Sequence, residues 1–362
     1  MSLEELRETI DSIDQRIVSL LDERAGAARR IAAEKMHNGL PLHDPKREEE
    51  VLDRIAGRSD GSMPSTGLTR IYRQVMTETL ALETRCDDDA KVAGQESGKM
   101  DVTASIRENC EVAPGYWRMR LEVPALAEAF LPGQFFQLRI RSDGSGPFLR
   151  RPFAPAEMFV DGLSFVYAVV GAGTRMMTGL MRGARVNVIA PLGKGYALAD
   201  LGEEVVLMGG GCGGPSLGPL TWNLAQRGVG TTVILGARSS CGLLSREYLE
   251  RQARSMVVAT DDGSEGTQGT VVNALDELFA NGKRIDRIYA CGPMPMLREI
   301  ARVAAARDIF CEVSLEERMA CGFGACVGCV VETKTPSGET AFRRVCHDGP
   351  VFDASTIKWD AM

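Results

Sequence analysis

The chain has 362 residues, a hydrophobic fraction of 44% and a charged fraction of 25%, values that are ordinary for globular proteins of more than one domain. Its formal net charge of −7 argues against nucleic acid as a main partner. No apolar run reaches about 18 residues, so we expect no membrane span. The N-terminus lacks the basic and apolar regions of a secretory signal, so we expect a cytoplasmic protein.

The first segment, residues 1–85, has the pattern of an all-α domain. Apolar residues recur there at alternating spacings of three and four, namely Leu3, Leu6, Ile10, Ile13, Ile17 and Leu20. This heptad seam predicts a long helix over residues 2–36. Two further helices are predicted, one beginning at Asp44-Pro45 and one running from about Gly67 to Glu83. Because three helices make a thin core, we expect a homodimer that buries the seam against a second copy.

The seam carries cations where apolar residues belong. Arg24 occupies the next seam position, and Lys35 lies on the same helix face, about three turns further on. A buried cation is costly unless it has a partner, so these residues favour a small polyanionic ligand.

The segments LRETIDSIDQRIVSLLDERAGAARRIAAEK, GLPLHDPKREEEVL and IYRQVMTETLALE resemble the AroQ-type chorismate mutases over residues 3–83. The resemblance implies that chorismate is rearranged to prephenate without a nucleophile or a metal. It implies that Arg7, Arg24 and Arg47 bind the substrate carboxylates, and that Lys35 lies at the ether oxygen. Glu48 and the backbone of Asp44 would hold the substrate hydroxyl.

Two positions of this segment depart from the family pattern. Thr79 stands where the family often has Ser, and Glu83 stands where well-known members have Gln. A Glu at this position donates a hydrogen bond only when protonated, so we expect mutase activity to fall as pH rises through the Glu83 pKa. A helical dimerisation module without catalysis is the alternative interpretation.

Residues 86–100 are polar, with an acidic run and glycines, which predicts a linker. Beyond it, the short alternating runs WRMRLEV, QFFQLRI and LSFVYAVV predict an antiparallel β-barrel over residues 101–199. The runs EEVVLMGG, TTVILGA, SMVVAT and RIYAC then alternate with helical stretches, which predicts an α/β nucleotide-binding domain over residues 200–312.

The order of these motifs resembles the ferredoxin–NADP reductase superfamily. The resemblance implies FAD in the barrel and a dinucleotide at the glycine-rich turn. The flavin-binding residues would be Arg151, Pro152, Phe153, Ala154, Val166, Tyr167, Ala168, Gly173 and Thr174. Ser or Thr is usual at the Ala154 position, where its hydroxyl approaches the flavin ring. The absence of this hydroxyl concerns the tuning of the flavin and not its binding. The dinucleotide-binding residues would be Gly209, Gly210, Gly211 and Gly213, and Arg238 leaves the choice between NAD and NADP open.

The last segment, residues 313–358, holds Cys321, Cys326, Cys329 and Cys346. Their C-x4-C-x2-C spacing followed by a distant fourth Cys is that of plant-type 2Fe–2S proteins. Zinc is the main alternative, although a zinc site usually has two paired-cysteine knuckles and only one C-x2-C is present. Disulfides would need an oxidising compartment.

A reductase followed by this tail is similar, over residues 101–358, to the electron-transfer subunit of NAD-dependent dihydroorotate dehydrogenase. The resemblance implies FAD, a 2Fe–2S cluster and NAD as cofactors. It also implies a partner, the FMN-containing catalytic subunit, because this chain has no barrel that could bind FMN and dihydroorotate. A related flavin and iron–sulfur complex of the sulfide dehydrogenase or transhydrogenase type is the alternative.

Overall fold

The computed structural model describes residues 98–127, 129–140, 147–335 and 337–361, together with scattered residues between 7 and 76. The chain divides into two compact units, Met1–Glu96 and Ser97–Met362. The division falls within the predicted linker.

In the first unit, every described residue between 7 and 31 is helical. The described residues between 50 and 55 and between 67 and 76 are helical as well. Four seam residues are exposed to solvent in the single chain, Ile10 by 57%, Ile13 by 45%, Ile17 by 48% and Leu20 by 60%. These four side chains therefore form an exposed apolar stripe in the described part of the first unit. The predicted helix start at Asp44-Pro45 lies outside the described residues.

The second unit begins with a seven-stranded antiparallel sheet in the order β4-β3-β7-β1-β2-β6-β5. Its strands are β1 Met100–Ala113, β2 Tyr116–Glu122, β3 Phe135–Arg139, β4 Arg151–Phe153, β5 Glu157–Phe159, β6 Gly162–Ala168 and β7 Arg185–Leu192. The edge strands β4 and β5 do not pair with each other among the described residues. The predicted antiparallel barrel is therefore present as a curled half-barrel, with β4 and β5 as its edge strands.

Aromatic side chains fill the inside of this half-barrel. The ring of Phe165 lies 5.2 Å from that of Phe136 and 4.7 Å from that of Phe153, centroid to centroid. The alternation along β6 turns Leu163, Phe165 and Tyr167 inward, where each is at most 2% exposed. Helix α1, Ala172–Thr178, packs Met177 against the same core.

The remaining elements form a parallel sheet with helices, followed by the cysteine-rich tail. The strands are β8 Val205–Gly210, β9 Thr231–Ala237, β10 Ser255–Thr260, β11 Thr267–Gln268, β12 Arg287–Cys291, β13 Phe310–Ser314, β14 Val330–Lys334, β15 Thr340–Arg344 and β16 Val351–Asp353. The helices are α2 Gly213–Ser216, α3 Gly218–Gln226, α4 Arg246–Gln252, α5 Val271–Ala280, α6 Met294–Ala306 and α7 Val345–Asp348. Short 3-10 turns lie at Pro124–Leu126, Ser240–Gly242, Ala354–Thr356 and Trp359–Ala361.

The cysteine-rich tail is built into this sheet. The sheet order is β11-β10-β9-β8-β12-β13-β16, and β16 of the tail pairs with β13 in the antiparallel sense. The predicted boundary between residues 312 and 313 falls inside β13. Cys329 and Cys346 of the tail share one buried cluster with Phe135 of β3. The tail thus packs on both sheets of the second unit.

A buried carboxyl holds the segment that joins the two sheets. Glu312 of β13 is 8% exposed, and its Oε2 accepts a hydrogen bond from the Ala197 backbone N–H at 2.9 Å. The hydroxyl of Tyr289 donates to the Ala197 carbonyl at 2.5 Å. Burial raises the pKa of Glu312 to about 7, against the opposing effect of the Ala197 N–H and the Arg287 charge.

Among the described residues, no helix is long and apolar enough to cross a bilayer.

Candidate functional site

Four of the predicted flavin residues lie on or directly after β4, at one edge of the half-barrel. Arg151, Pro152 and Phe153 form the edge strand β4, and Ala154 follows it directly. A Cβ on Gly173 would lie only 3.0 Å from Arg151 Nε, so the guanidinium lies against the first turn of α1. Strand β4 and this helix start therefore bring Arg151 and Gly173 together, although 22 positions separate them in the sequence.

Thr174 orders the turn before α1. Its Oγ1 accepts hydrogen bonds from the backbone N–H groups of Val170 at 3.0 Å and Gly171 at 3.1 Å. The same hydroxyl lies 3.2 Å from the Gly171 carbonyl, to which it donates. The Thr174 hydroxyl is thus engaged inside the turn. Its predicted role as a donor to the flavin phosphates stays a prediction.

The second predicted flavin segment places its side chains on alternate faces of β6. Tyr167 points into the half-barrel core, where its hydroxyl donates to Asn109 Oδ1 at 3.0 Å and burial raises its pKa far above the usual range. Val166 points the other way, packed with Ala156 and Leu244. The backbone of Ala168 meets the Cys212 thiol of the glycine-rich turn. This segment therefore lies where the half-barrel meets the parallel sheet.

A cavity of about 870 Å³ opens at the carboxyl ends of β8, β9 and β12, and Gly210 and Gly211 line it. Parallel α/β sheets bind nucleotides at this edge. Gly211 has a φ of +54° and no atom within 4 Å of a built Cβ, so its backbone faces open space. Gly209 and Gly213 serve packing instead, because a Cβ on Gly213 would lie 2.3 Å from the Cys291 carbonyl oxygen.

The cavity has further lining residues that the sequence did not single out. Gly236 is the last residue but one of β9, Thr270 is the N-cap of α5, and Met296 lies in the first turn of α6. Their positions at strand ends and helix starts are a signal that could have identified them. A second cavity of about 1060 Å³ lies between α6 and the C-terminal residues, and none of the predicted site residues lines it.

The four cysteines of the tail lie in two pairs. The Cys326 backbone N–H donates to Cys321 Sγ at 3.4 Å, and the thiol of Cys326 also donates to it. The Cys346 backbone N–H donates to Cys329 Sγ at 3.4 Å, and the thiols of these two residues are hydrogen-bonded as well. The Gly324 N–H crosses between the pairs, because it donates to Cys346 Sγ at 3.1 Å.

The loop that carries these cysteines needs its glycines. Gly322 and Gly324 have φ values of +80° and +92°, in the region that L-residues with a side chain rarely adopt. Val327 has a φ of +55° although it is β-branched, and its side chain is 59% exposed. Such strain is found at functional sites where the surrounding fold enforces it.

Backbone amides and burial act on these thiols in opposite directions. Burial raises the pKa of Cys321, but N–H donors from Phe323, Cys326 and Ala325 outweigh it and lower that pKa to about 6. Burial and the neighbouring Cys329 raise the pKa of Cys346 to about 12. The loop therefore favours a thiolate at Cys321, the form that ligates metal.

The paired arrangement fits a two-iron cluster, in which each iron takes two of the four protein sulfurs. A single zinc ion would need four ligands converging on one point. Among the described residues, no three His, Cys, Asp or Glu side chains converge in this way. The donor set and its geometry thus fit the 2Fe–2S group better than they fit zinc.

The predicted mutase residues are only partly within the described chain. Arg7 and Arg24 are both helical, with Arg7 exposed and Arg24 half-buried. The other residues predicted for that site, Lys35, Asp44, Arg47, Glu48, Thr79 and Glu83, lie outside the described residues.

Comparison with known proteins separates the chain into the same two parts. The family model for chorismate mutase type II matches residues 6–84. The family model for the iron–sulfur cluster binding domain of dihydroorotate dehydrogenase B matches residues 316–358. An electron transfer subunit of dihydroorotate dehydrogenase B (NAD(+)) from Fusobacterium nucleatum is 36% identical over 259 residues, which are 70% of this chain and 97% of that protein.

The chain belongs to the family of dihydroorotate dehydrogenase B electron-transfer subunits. A second member, from Desulforamulus reducens, is 36% identical over 251 residues, which are 69% of this chain and 95% of that protein. A solved NADH-dependent reduced ferredoxin-NADP oxidoreductase matches 74% of this chain and 92% of its own, with a TM-score of 0.64 and 28% identity. The predicted membership is thus confirmed, and the N-terminal chorismate mutase domain is an addition to the subunit.

The cofactors predicted from the sequence, FAD, a 2Fe–2S cluster and NAD, agree with these matches, since the family model describes an iron–sulfur cluster binding domain and the relatives are named for NAD(+). The reductase fold supplies the half-barrel and the parallel sheet, and the tail supplies the paired cysteines. The assignment of individual residues to each cofactor stays a prediction.

Proposed function

We propose that this chain is bifunctional: its helical domain converts chorismate to prephenate, and residues 101–358 transfer electrons from a partner subunit to NAD. The observation that carries the redox half is the placement of the paired cysteines. They lie on the outer face of the sheet whose edge strand carries Arg151, in the same compact unit as the nucleotide cavity.

Each part of the redox unit has a separate task. Cys321 with Cys326, and Cys329 with Cys346, would hold a bound two-iron cluster. Arg151 would neutralise the flavin diphosphate beside Gly173, and the backbone of Phe153, Ala154 and β6 would border the flavin ring. When bound, the cluster carries single electrons and the flavin couples them in pairs to hydride exchange with NAD.

The partner is the FMN-containing catalytic subunit of dihydroorotate dehydrogenase. Three observations support a docking face at the cysteine loop, since Cys326 is exposed, Phe323 is 41% exposed and Val327 is 59% exposed. Exposed apolar side chains that lie close together are typical of protein–protein contact sites. The relatives are described as electron transfer subunits, which supports a separate donor.

The test is co-purification followed by turnover. The tagged chain is expected to retain the FMN-containing subunit, and the isolated complex is expected to reduce NAD with dihydroorotate. Cys326→Ser is expected to abolish this reaction and to bleach the cluster spectrum while leaving mutase activity intact. A Cys326→Ser protein that retains full NAD reduction would contradict the role of the cluster.

The mutase half rests on the cations of the helical domain. Arg24 and Lys35 bind chorismate in one subunit, and Arg7 serves the site of the second copy. The other residues proposed for the site are Arg47, Glu48, the Asp44 backbone, Thr79 and Glu83. The exposed apolar seam supports a homodimer, because burial of such a surface is the main driving force of association. Loss of chorismate absorbance measures the activity, and it is expected to disappear in Arg24→Ala and Lys35→Ala; unchanged turnover would refute the site.

A second candidate is an electron-transfer subunit of a transhydrogenase-type complex, with the helical domain serving as a dimerisation module. The likeness to the solved ferredoxin-NADP oxidoreductase favours it, because that match covers nearly the whole of the solved chain. The co-purifying partner distinguishes the two candidates. A complex that exchanges electrons between NADH and NADP, and does not oxidise dihydroorotate, supports the second.

A further inference from the structure

Gln137 is a polar residue at a position where the fold offers water no access. It is 0% exposed and lies in the middle of β3, between Phe136 and Leu138, which point into the half-barrel core. Because side chains alternate along a strand, Gln137 points to the opposite face, together with Phe135. Phe135 belongs to the same buried cluster as Cys329 and Cys346, so this face lies toward the cysteine-rich tail.

The carboxamide of Gln137 meets the cysteine loop directly. A Cβ on Gly322 would lie 2.3 Å from Gln137 Nε2 and 2.4 Å from its Cγ. The Nε2 group is directed at Met319 Sδ, at a distance of 3.9 Å. Gly322 follows Cys321 in the sequence, so the amide lies one residue from a predicted cluster ligand.

The other end of the carboxamide is unpartnered. Gln137 Oε1 is buried and has no hydrogen-bond partner among the described residues. A buried acceptor in this state is destabilising, and native proteins retain few of them without a functional reason. An apolar side chain of the same size would fill the space without this cost.

Gln134, which directly precedes β3, shows that a buried glutamine in this region can have both ends of its carboxamide paired. Gln134, which is 6% exposed, accepts from the Leu131 N–H at 2.9 Å and donates to the Gly193 carbonyl at 2.8 Å. Gln134 therefore fixes the backbone locally and has both ends paired. Gln137 is different, because the one polar contact of its carboxamide among the described residues is with Met319 Sδ, two residues before Cys321.

Gln137 also adjoins the flavin edge. Its Cα pairs with that of Pro152 in the β3–β4 register, between Arg151 and Phe153. The residue thus joins the strand proposed to border the flavin to the loop proposed to hold the cluster.

We propose that Gln137 is a positioning residue for the iron–sulfur loop: its buried carboxamide seats the loop at Gly322 on β3 and places a fixed dipole beside the cluster. This inference rests on the proposed cluster site. The dipole acts on the reduction potential, because polar groups close to the cluster sulfurs help to set it.

The test compares Gln137→Met with Gln134→Met in the full chain purified with its cluster. Both changes preserve volume and remove an amide. Gln137→Met is expected to lower the midpoint potential of the cluster in an EPR-monitored reductive titration. It is also expected to speed the release of iron to a chelator by about tenfold, the lower limit for outer-shell partners of metal sites. Gln134→Met is expected to change neither property.

Met319→Leu provides an independent variant if Gln137→Met loads no cluster. It removes the sulfur that faces Nε2 and preserves the volume, and it is expected to shift the potential in the same direction. An unchanged potential and an unchanged release rate in Gln137→Met overturn the inference, as does an equal change in Gln134→Met. If the unaltered protein itself binds no iron, the proposed cluster site is wrong, which is a distinct outcome.

Discussion

Substitution of Gly322 by Ala tests how closely the cysteine loop must approach β3. At a φ of +80°, any side chain costs about 1–2 kcal/mol in backbone conformation. The added methyl also lies 2.3 Å from Gln137 Nε2, and overpacking of this kind costs about 1–3 kcal/mol. The expected loss of unfolding free energy is thus about 2–5 kcal/mol, a large part of a typical domain's total stability.

Gly338→Ala is the matched control for this change. Gly338 has a φ of +85°, but no atom lies within 4 Å of a Cβ built there. This variant therefore carries the conformational cost without the overpacking, and we expect a loss of only about 1–2 kcal/mol. The difference between the two variants isolates the approach to Gln137.

Urea unfolding followed by tryptophan fluorescence measures both variants. The three tryptophans, Trp117, Trp222 and Trp359, all lie in the second unit, so the signal reports on that unit alone. Adding Gln137→Ala to Gly322→Ala is expected to recover part of the loss, since the partner of the clash is gone. Equal midpoints for Gly322→Ala and Gly338→Ala, without recovery in the double variant, would refute this packing.

Three further predictions follow from the described geometry. Because the folded pKa of Glu312 is raised from 4.5 to about 7, its contribution to stability is complete below pH 4.5 and is lost as pH rises through about 7. The unfolding free energy is expected to fall by up to about 3 kcal/mol over that range, and Glu312→Gln should flatten the profile in urea titrations. In cluster-free protein at neutral pH, iodoacetamide should alkylate Cys321 before Cys346, since their pKa values are about 6 and about 12; mass spectrometry showing the reverse order would contradict this. Gly213→Ala places a methyl group 2.3 Å from the Cys291 carbonyl oxygen of β12. The variant is expected to weaken NADH binding at least tenfold in fluorescence titrations. Unchanged affinity would show that α2 can move away from β12.

Local sequence patterns predicted the elements better than their pairing. The alternation in QFFQLRI and LSFVYAVV identified β3 and β6, because period-two patterns report directly on which face is buried. The open edge between β4 and β5 could not be predicted in this way. Pairing of strands far apart in the chain depends on register and turns, which short windows do not contain.

The same limit applies to the tail. The cysteine spacing predicts a set of four ligands, since ligand spacing is a local property, but it does not predict that the sulfurs lie in pairs. Strand β16 has only three residues, too few to show a period, so its place in the nucleotide sheet was missed. Gln137 was missed because a polar residue in an alternating run indicates a solvent-facing position, and only the packed tail makes that position buried.

EPR spectroscopy of the purified chain after addition of NADH shows whether the nucleotide site and the cysteine loop are joined by electron transfer. Electrons from NADH reach the four cysteines only if the nucleotide cavity, the flavin edge and the cysteine loop form one redox unit. We expect the signal of a reduced 2Fe–2S cluster in the wild-type protein and its absence in Cys326→Ser. A wild-type protein that contains zinc in place of iron, or a cluster that dithionite reduces and NADH does not, would contradict this expectation.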